Sequence, residues 1–301
     1  MTEWKNILFK EIENRKLYLD LFVPEDVPAP PIIMWVHGGG WNELNRTWSL
    51  IMPMLERGYA VASVDYRYCD EAAFPAQMSD LKDALLFLKK HGDAYGYDAG
   101  KIAVSGDSAG AHLACLVGVS ADHKDWERPG EDYSVQAIVD ISGPIRLSDS
   151  FSLDNPPKDV SNIEQLFGVK ADSKAFLAAA LLGCPLSYIN GTEPPVLIMQ
   201  GTDDPIVPVS QARLFRNALE EAGDKVHMYL VPGGHHSMGG KVFDDILCEF
   251  LDFYLKGTVT VTEPKVLAEH YRNVDLLDGE ACSGIINSLI DSIKGCDYNK
   301  T

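Results

Sequence analysis

Four short stretches hold side chains with the reactivity of an acyl-transfer site. GDSAG (106–110) sets a serine in a G-x-S-x-G spacing, and HGGGW (37–41) is a run of three glycines after a histidine. GTDDPIVP (201–208) offers two adjacent carboxylates, and VPGGHHS (231–237) two adjacent histidines. A serine hydroxyl is a poor nucleophile until a base takes its proton, and the imidazole base needs an acid to fix its tautomer. Serine, carboxylate and histidine follow one another here in that chain order. Each also has a plainer reading: a serine in a tight βα turn, acidic turn residues, a solvated histidine turn. A metal pair at His235 and His236 is the least economical, because the sequence has no His/Cys/carboxylate cluster with suitable ligand spacing.

Such residues work only if rigid elements present them. Short apolar runs alternate with helical patterns, which implies parallel strands joined by crossover helices. LYLDLFVP (17–24) alternates and reads as an early antiparallel strand. PIIMWVHG (31–38) and YAVASVDY (59–66) read as strands buried on both faces. Helical spacing runs from Thr47 to Arg57, ending at Gly58, and MSDLKDALLFLKKHG (78–92) is a clear amphipathic helix ending at Gly92. KIAVSG (101–106) is a strand leading directly into the helix SAGAHLACLVGVSA, and VQAIVDISG (135–143) is the next strand. Further strands are expected at 194–201 and 226–232, and helices at 210–223 and 243–255. Residues 145–185 break this order and read as a cap insertion over the C-terminal strand ends, where ligands bind in such sheets.

The serine motif gains meaning from that context. Ser108 falls between a strand and a helix, where a sharp turn lifts its hydroxyl off the sheet. Gly106, Ala109, Gly110 and Ala111 are small enough for strand and helix to pass closely. The glycine run is entropically costly to order, so it needs a reason such as close approach of backbone to a ligand. In a hydrolase of this kind the amides of Gly39, Gly40 and Ala109 are the expected oxyanion donors, each worth a factor of about 100 to 1,000 in rate. His37 is expected to brace the loop rather than react.

HGGGW, DYR (65–67), YGYDAGKIAVSGDSAGAHLA, CPLSYI (184–189), GTDDPIVPVSQ and VPGGHHS together resemble the α/β-hydrolase fold. More narrowly, they resemble the hormone-sensitive-lipase-like and bifunctional feruloyl/acetylxylan esterases, over residues 15–256. The resemblance implies an eight-stranded, mostly parallel sheet with helices on both faces, and hydrolysis of carboxylic esters without metal or cofactor. By position it makes Ser108 the nucleophile, selects Asp204 over Asp203 as the acid, and selects His236 over His235 as the base. The chain departs from the family pattern at Gly233-Gly234 and at Ser237, without losing a functional group.

The implied activity is that of a serine carboxylesterase on small acyl esters, acetyl or hydroxycinnamoyl, on plant polysaccharide fragments. Rival readings are an amidase, arylformamidase or peptidase on the same triad, and a non-catalytic ligand-binding protein, which would have lost a triad member. Phe151, Leu153, Phe167, Phe176, Leu177 and Leu181 either line an acyl pocket or form the core of the insertion, with core preferred for most.

The chain has 301 residues, 46% hydrophobic and 23% charged, with a formal net charge of -18. That excess of acid disfavours nucleic acid and anionic membrane surfaces as partners. A small-molecule ester is the expected partner, with the protein a monomer or homodimer. No apolar run approaches the roughly 18 residues of a membrane span. The N-terminus lacks a secretory pattern, and six scattered cysteines read as reduced thiols, which together suggest a cytoplasmic protein. Residues 1–257 are read as the hydrolase domain and 258–301 as a C-terminal extension for packing or oligomerisation.

Overall fold

The computed structural model describes residues 1–123, 128–151, 161–236 and 238–257. The chain opens with two antiparallel strands, Thr2–Ile12 (β1) and Arg15–Val23 (β2). Pro31–Val36 (β3) and Ala60–Val64 (β4) follow, both entirely buried. Helix α1 (Ala76–Tyr95) leads to β5 (Asp98–Asp107), and α2 (Ala109–Val119) leads to β6 (Ala137–Ile141). After the short helices α3 (Ser161–Phe167) and α4 (Lys174–Leu182) come β7 (Val196–Gly201), α5 (Val209–Ala222), β8 (Val226–Val231) and α6 (Lys241–Leu251).

The sheet order is β1-β2-β4-β3-β5-β6-β7-β8. From β4 to β8 every pairing is parallel; β2 pairs antiparallel with both β1 and β4. The eight-stranded, mostly parallel architecture implied by the resemblance is therefore present. Strand pleating splits the core into two layers. Ile32, Met34 and Val36 pack towards α1, α2 and α5, whereas Ile33 and Trp35 face α6 and the 3-10 turn Met52–Leu55.

Several sequence expectations are corrected. Residues 47–57 form a loop with one 3-10 turn rather than a helix. Its polar groups are drawn into other bonds: Thr47 N and Oγ1 both donate to Asn45 Oδ1, and the Trp48 carbonyl accepts the Trp35 indole. Helix α1 continues past Gly92 to a left-handed cap at Gly96, because Tyr95 packs edge-on against Trp4 at 5.2 Å. Strand β1 was not expected at all. The C-terminal extension lies outside the described residues.

Parallel strands with regular crossovers deliver their C-terminal ends to one edge. The loops after β3, β5, β7 and β8 carry HGGGW, Ser108, Asp204 and His236 respectively. Val36 and Gly106 are in register at that edge, so the glycine loop and the serine turn start level with each other.

Candidate active site

Ser108 stands at φ 53, ψ -123, between the last residue of β5 and the first of α2. For a residue with a Cβ this backbone costs about 1–3 kcal/mol, which the surrounding packing must offset. The packing is backbone on backbone. A Cβ at Gly110 would sit 2.1 Å from the Val36 carbonyl oxygen, and one at Gly106 would sit 2.4 Å from the Gly110 carbonyl carbon. The Ser108 amide is held by the Ile141 carbonyl at 2.9 Å, and the His112 amide closes the first helical turn onto the Ser108 carbonyl at 3.1 Å.

Asp204 and His236 meet. His236 Nδ1 lies 2.8 Å from Asp204 Oδ2, and the Asp204 side chain is fully buried. The same oxygen accepts Gln200 Nε2 at 2.9 Å, while Oδ1 accepts the amides of Ile206 (2.8 Å) and Val207 (3.0 Å). Burial alone would raise this carboxyl's pKa, but the bonds from His236 and from those amides outweigh it and hold the pKa below the usual value. An ionised carboxylate only accepts, so Nδ1 is the donor in this bond and Nε2 is turned away from Asp204.

The neighbours of these two residues sit elsewhere. Asp203 is exposed and accepts the Thr202 hydroxyl at 2.9 Å; His235 is exposed. His236 is 16% exposed, an accessible edge on an otherwise enclosed ring. Burial raises the pKa of Asp107, the residue before Ser108, and the Gly38 amide, Trp48 and the nearby His236 offset only part of that rise.

The glycine loop leaves β3 with Gly39 at φ 97 and Gly40 at φ 56. Among the described residues, no acceptor takes the amides of Gly39, Gly40 or Ala109. The Gly39 carbonyl is used in a tight turn, accepting the amides of Asn42 (3.1 Å) and Glu43 (2.8 Å). His37 stacks on Tyr66 at 4.4 Å, and burial lowers its pKa to about 4, so the ring is neutral.

Three contributors were not singled out from sequence. Asp107 accepts the Gly38 amide at 2.8 Å, and Gln200 supports Asp204. Asn162 of α3 accepts a bond from Asn42 Nδ2 at 3.3 Å and crowds Gly40, where a Cβ would meet its Nδ2 at 2.6 Å. A polar residue at the end of an apolar strand, as in VLIMQ, was the one available signal for Gln200. Of the proposed acyl-pocket residues, Phe167 and Phe176 are buried and pack edge-on at 5.7 Å, as core. Leu177 and Leu181 are 61% and 64% exposed, so they belong neither to the core nor to an enclosed pocket. The side chain of Phe151 and the whole of Leu153 lie outside the described residues.

No group of three or more His, Cys, Asp or Glu side chains arranged to hold a metal occurs among the described residues. No described helix is long and apolar enough to cross a membrane.

Residues 19–219 match a protein-family model described as BD-FAE. The chain is 29% identical to the esterase LipQ of Mycobacterium tuberculosis over 235 residues, covering 74% of this chain and 55% of the relative. It is 26% identical to the isoprenylcysteine alpha-carbonyl methylesterase ICME of Arabidopsis thaliana over 250 residues, 76% of this chain and 58% of that one. The chain thus spans a little over half the length of these curated relatives. A solved structure described as a truncated form of a carbohydrate esterase from gut microbiota superposes with a TM-score of 0.76 at 25% identity. That superposition covers 85% of this chain and 97% of the other. With the family model matching well over half its length, on a sheet that places the loops as described, the chain belongs to the BD-FAE family of α/β-hydrolase-fold esterases.

Proposed function

We propose that this protein is a serine carboxylesterase that hydrolyses small acyl esters through Ser108, His236 and Asp204. The observation that carries the reading is the Asp204–His236 bond, which leaves Nε2 as base, combined with a serine held at a strained turn on the same sheet edge. Ser108 Oγ bonds to the ester carbonyl carbon while its proton passes to His236 Nε2. The amides of Gly39, Gly40 and Ala109 receive the negative charge that develops on the carbonyl oxygen. As the alcohol's C–O bond breaks, His236 returns the proton to that oxygen. Water then repeats the sequence on the acyl-enzyme, and the carboxylic acid leaves.

The substrate reading is acetyl or hydroxycinnamoyl groups on plant polysaccharide fragments. It is supported by the BD-FAE match and by the likeness to the gut-microbiota carbohydrate esterase. The net charge of -18 favours neutral substrates over polyanions. A substrate panel tests both levels: p-nitrophenyl esters of increasing acyl length, methyl ferulate, acetylated xylo-oligosaccharides and an N-formyl aromatic amine. Turnover of short esters with the sugar acetates or the ferulate preferred is the expected result. Hydrolysis of the formamide alone would overturn the esterase reading.

A further inference from the structure

Asp107 precedes the proposed nucleophile and turns back towards the glycine loop instead of into solvent. Its Oδ1 accepts the Gly38 amide at 2.8 Å, and a Cβ at Gly38 would lie 2.9 Å from both the Asp107 carbonyl oxygen and Oδ2. The carbonyl side of the same stretch is held just as firmly. Tyr66 Oη donates to the His37 carbonyl at 3.0 Å and lies 3.4 Å from that of Gly38, which also accepts His37 Nδ1 at 2.9 Å. The Tyr66 ring stacks under His37 with planes 14° apart. Residues 37 and 38 are therefore gripped on the amide side by Asp107 and on the carbonyl side by Tyr66.

The next two residues are glycines at φ 97 and 56, and glycine has no side chain to narrow its own dihedrals. The direction of the Gly39 and Gly40 amides must be set by the anchor that precedes them. That anchor also consumes the Gly38 amide, which removes it from the set of oxyanion donors. We infer that Asp107 is a positioning residue for hydrolysis: by holding the Gly38 amide it aims the Gly39 and Gly40 amides at the oxyanion beside Ser108. This rests on Ser108 being the nucleophile. Asp107 then acts on the transition state and not on substrate binding, because the donors it orients meet full charge only there.

The test compares Asp107→Ala, Asp107→Asn and Tyr66→Phe with the unaltered chain on p-nitrophenyl acetate. It also measures inhibition by an alkyl trifluoromethyl ketone, whose serine adduct carries the oxyanion. Asp107→Ala is expected to lower kcat about 100-fold with KM nearly unchanged, and to raise the ketone Ki by a similar factor. Asparagine retains an acceptor for the Gly38 amide and is expected to recover about tenfold of that loss. Tyr66→Phe leaves the carboxylate in place and loosens the other side; about a tenfold fall in kcat with a matching rise in Ki is expected. Asp107→Asn, which keeps the size of the side chain, decides the matter if Asp107→Ala does not fold. Variants that bind the ketone as tightly as the unaltered chain, or that raise KM at constant kcat, would overturn the inference. Full activity of Ser108→Ala in the same assay would instead remove the nucleophile reading on which it rests.

Discussion

Among the described residues, His236 Nδ1 has one partner, Asp204, and that carboxylate has three other donors around it. In the proposed mechanism a base fixed this way acts with its nucleophile as a unit. Ser108→Ala and His236→Ala should each lower kcat by about five to six orders of magnitude, and the double variant should be hardly worse. Losses that add in the logarithm would break the assignment. Asp204→Asn should cost about 10⁴ in kcat, since an amide there permits the wrong imidazole tautomer. The triad candidates were legible because glycine registers and chain order mark them. Asp107 and Gln200 were not, because their partners lie on other elements and no local spacing records a bond from residue 107 to residue 38.

Backbone contact between elements sets what the turn at Ser108 tolerates. Gly110→Ala would drive a methyl into the Val36 and His37 carbonyls, which cannot swing aside as a side chain would. We expect a loss of about 2–3 kcal/mol in urea unfolding together with loss of turnover, as α2 backs away from β3. A stable, active Gly110→Ala chain would mean that the packing is looser than described. The central strands were legible as continuous apolar runs, since both their faces are covered. Edge strand β1 was not: it is half exposed, and register shifts between Trp4 and Ile7 and between Leu8 and Lys10 interrupt its alternation. The segment 47–57 misled for the opposite reason, having helical spacing while its backbone and side chains bond elsewhere. In the insertion, apolar identity alone did not separate the buried Phe167 and Phe176 from the exposed Leu177 and Leu181.

Among the carboxyls through which stability should respond to pH, Asp204 and Asp140 act with opposite signs. Asp204, held low on folding, contributes stability that is present above its unfolded pKa and is lost as pH falls through its folded value. Asp140 is completely buried, and burial raises its pKa to about 7 against the opposing Gly143 amide. The folded chain thus binds that proton more tightly than the unfolded one, so the contribution of Asp140 to stability declines as pH rises from about 4 towards 7 and then levels. Asp140→Asn should remove that decline. Its Tm is expected to exceed that of the unaltered chain at pH 8, with the difference shrinking towards pH 4. Parallel melting curves for the two chains across that range would contradict the account.

The loops after β7 and β8 are stitched to each other independently of the serine turn. Thr202 N donates to the Val231 carbonyl, Asp203 N to that of Gly234, and Gly233 N to the Thr202 hydroxyl. A Cβ at Gly201 would lie 2.2 Å from the Gly234 oxygen. Between this pair of loops and the serine turn runs the solvent-exposed stretch Arg128–Asp132, which joins the two parts of the sheet. A polypeptide severed there would carry the proposed nucleophile and oxyanion donors on one fragment and the proposed proton-relay pair on the other. Neither fragment holds a full set, so colour from a chromogenic ester would report their reassembly.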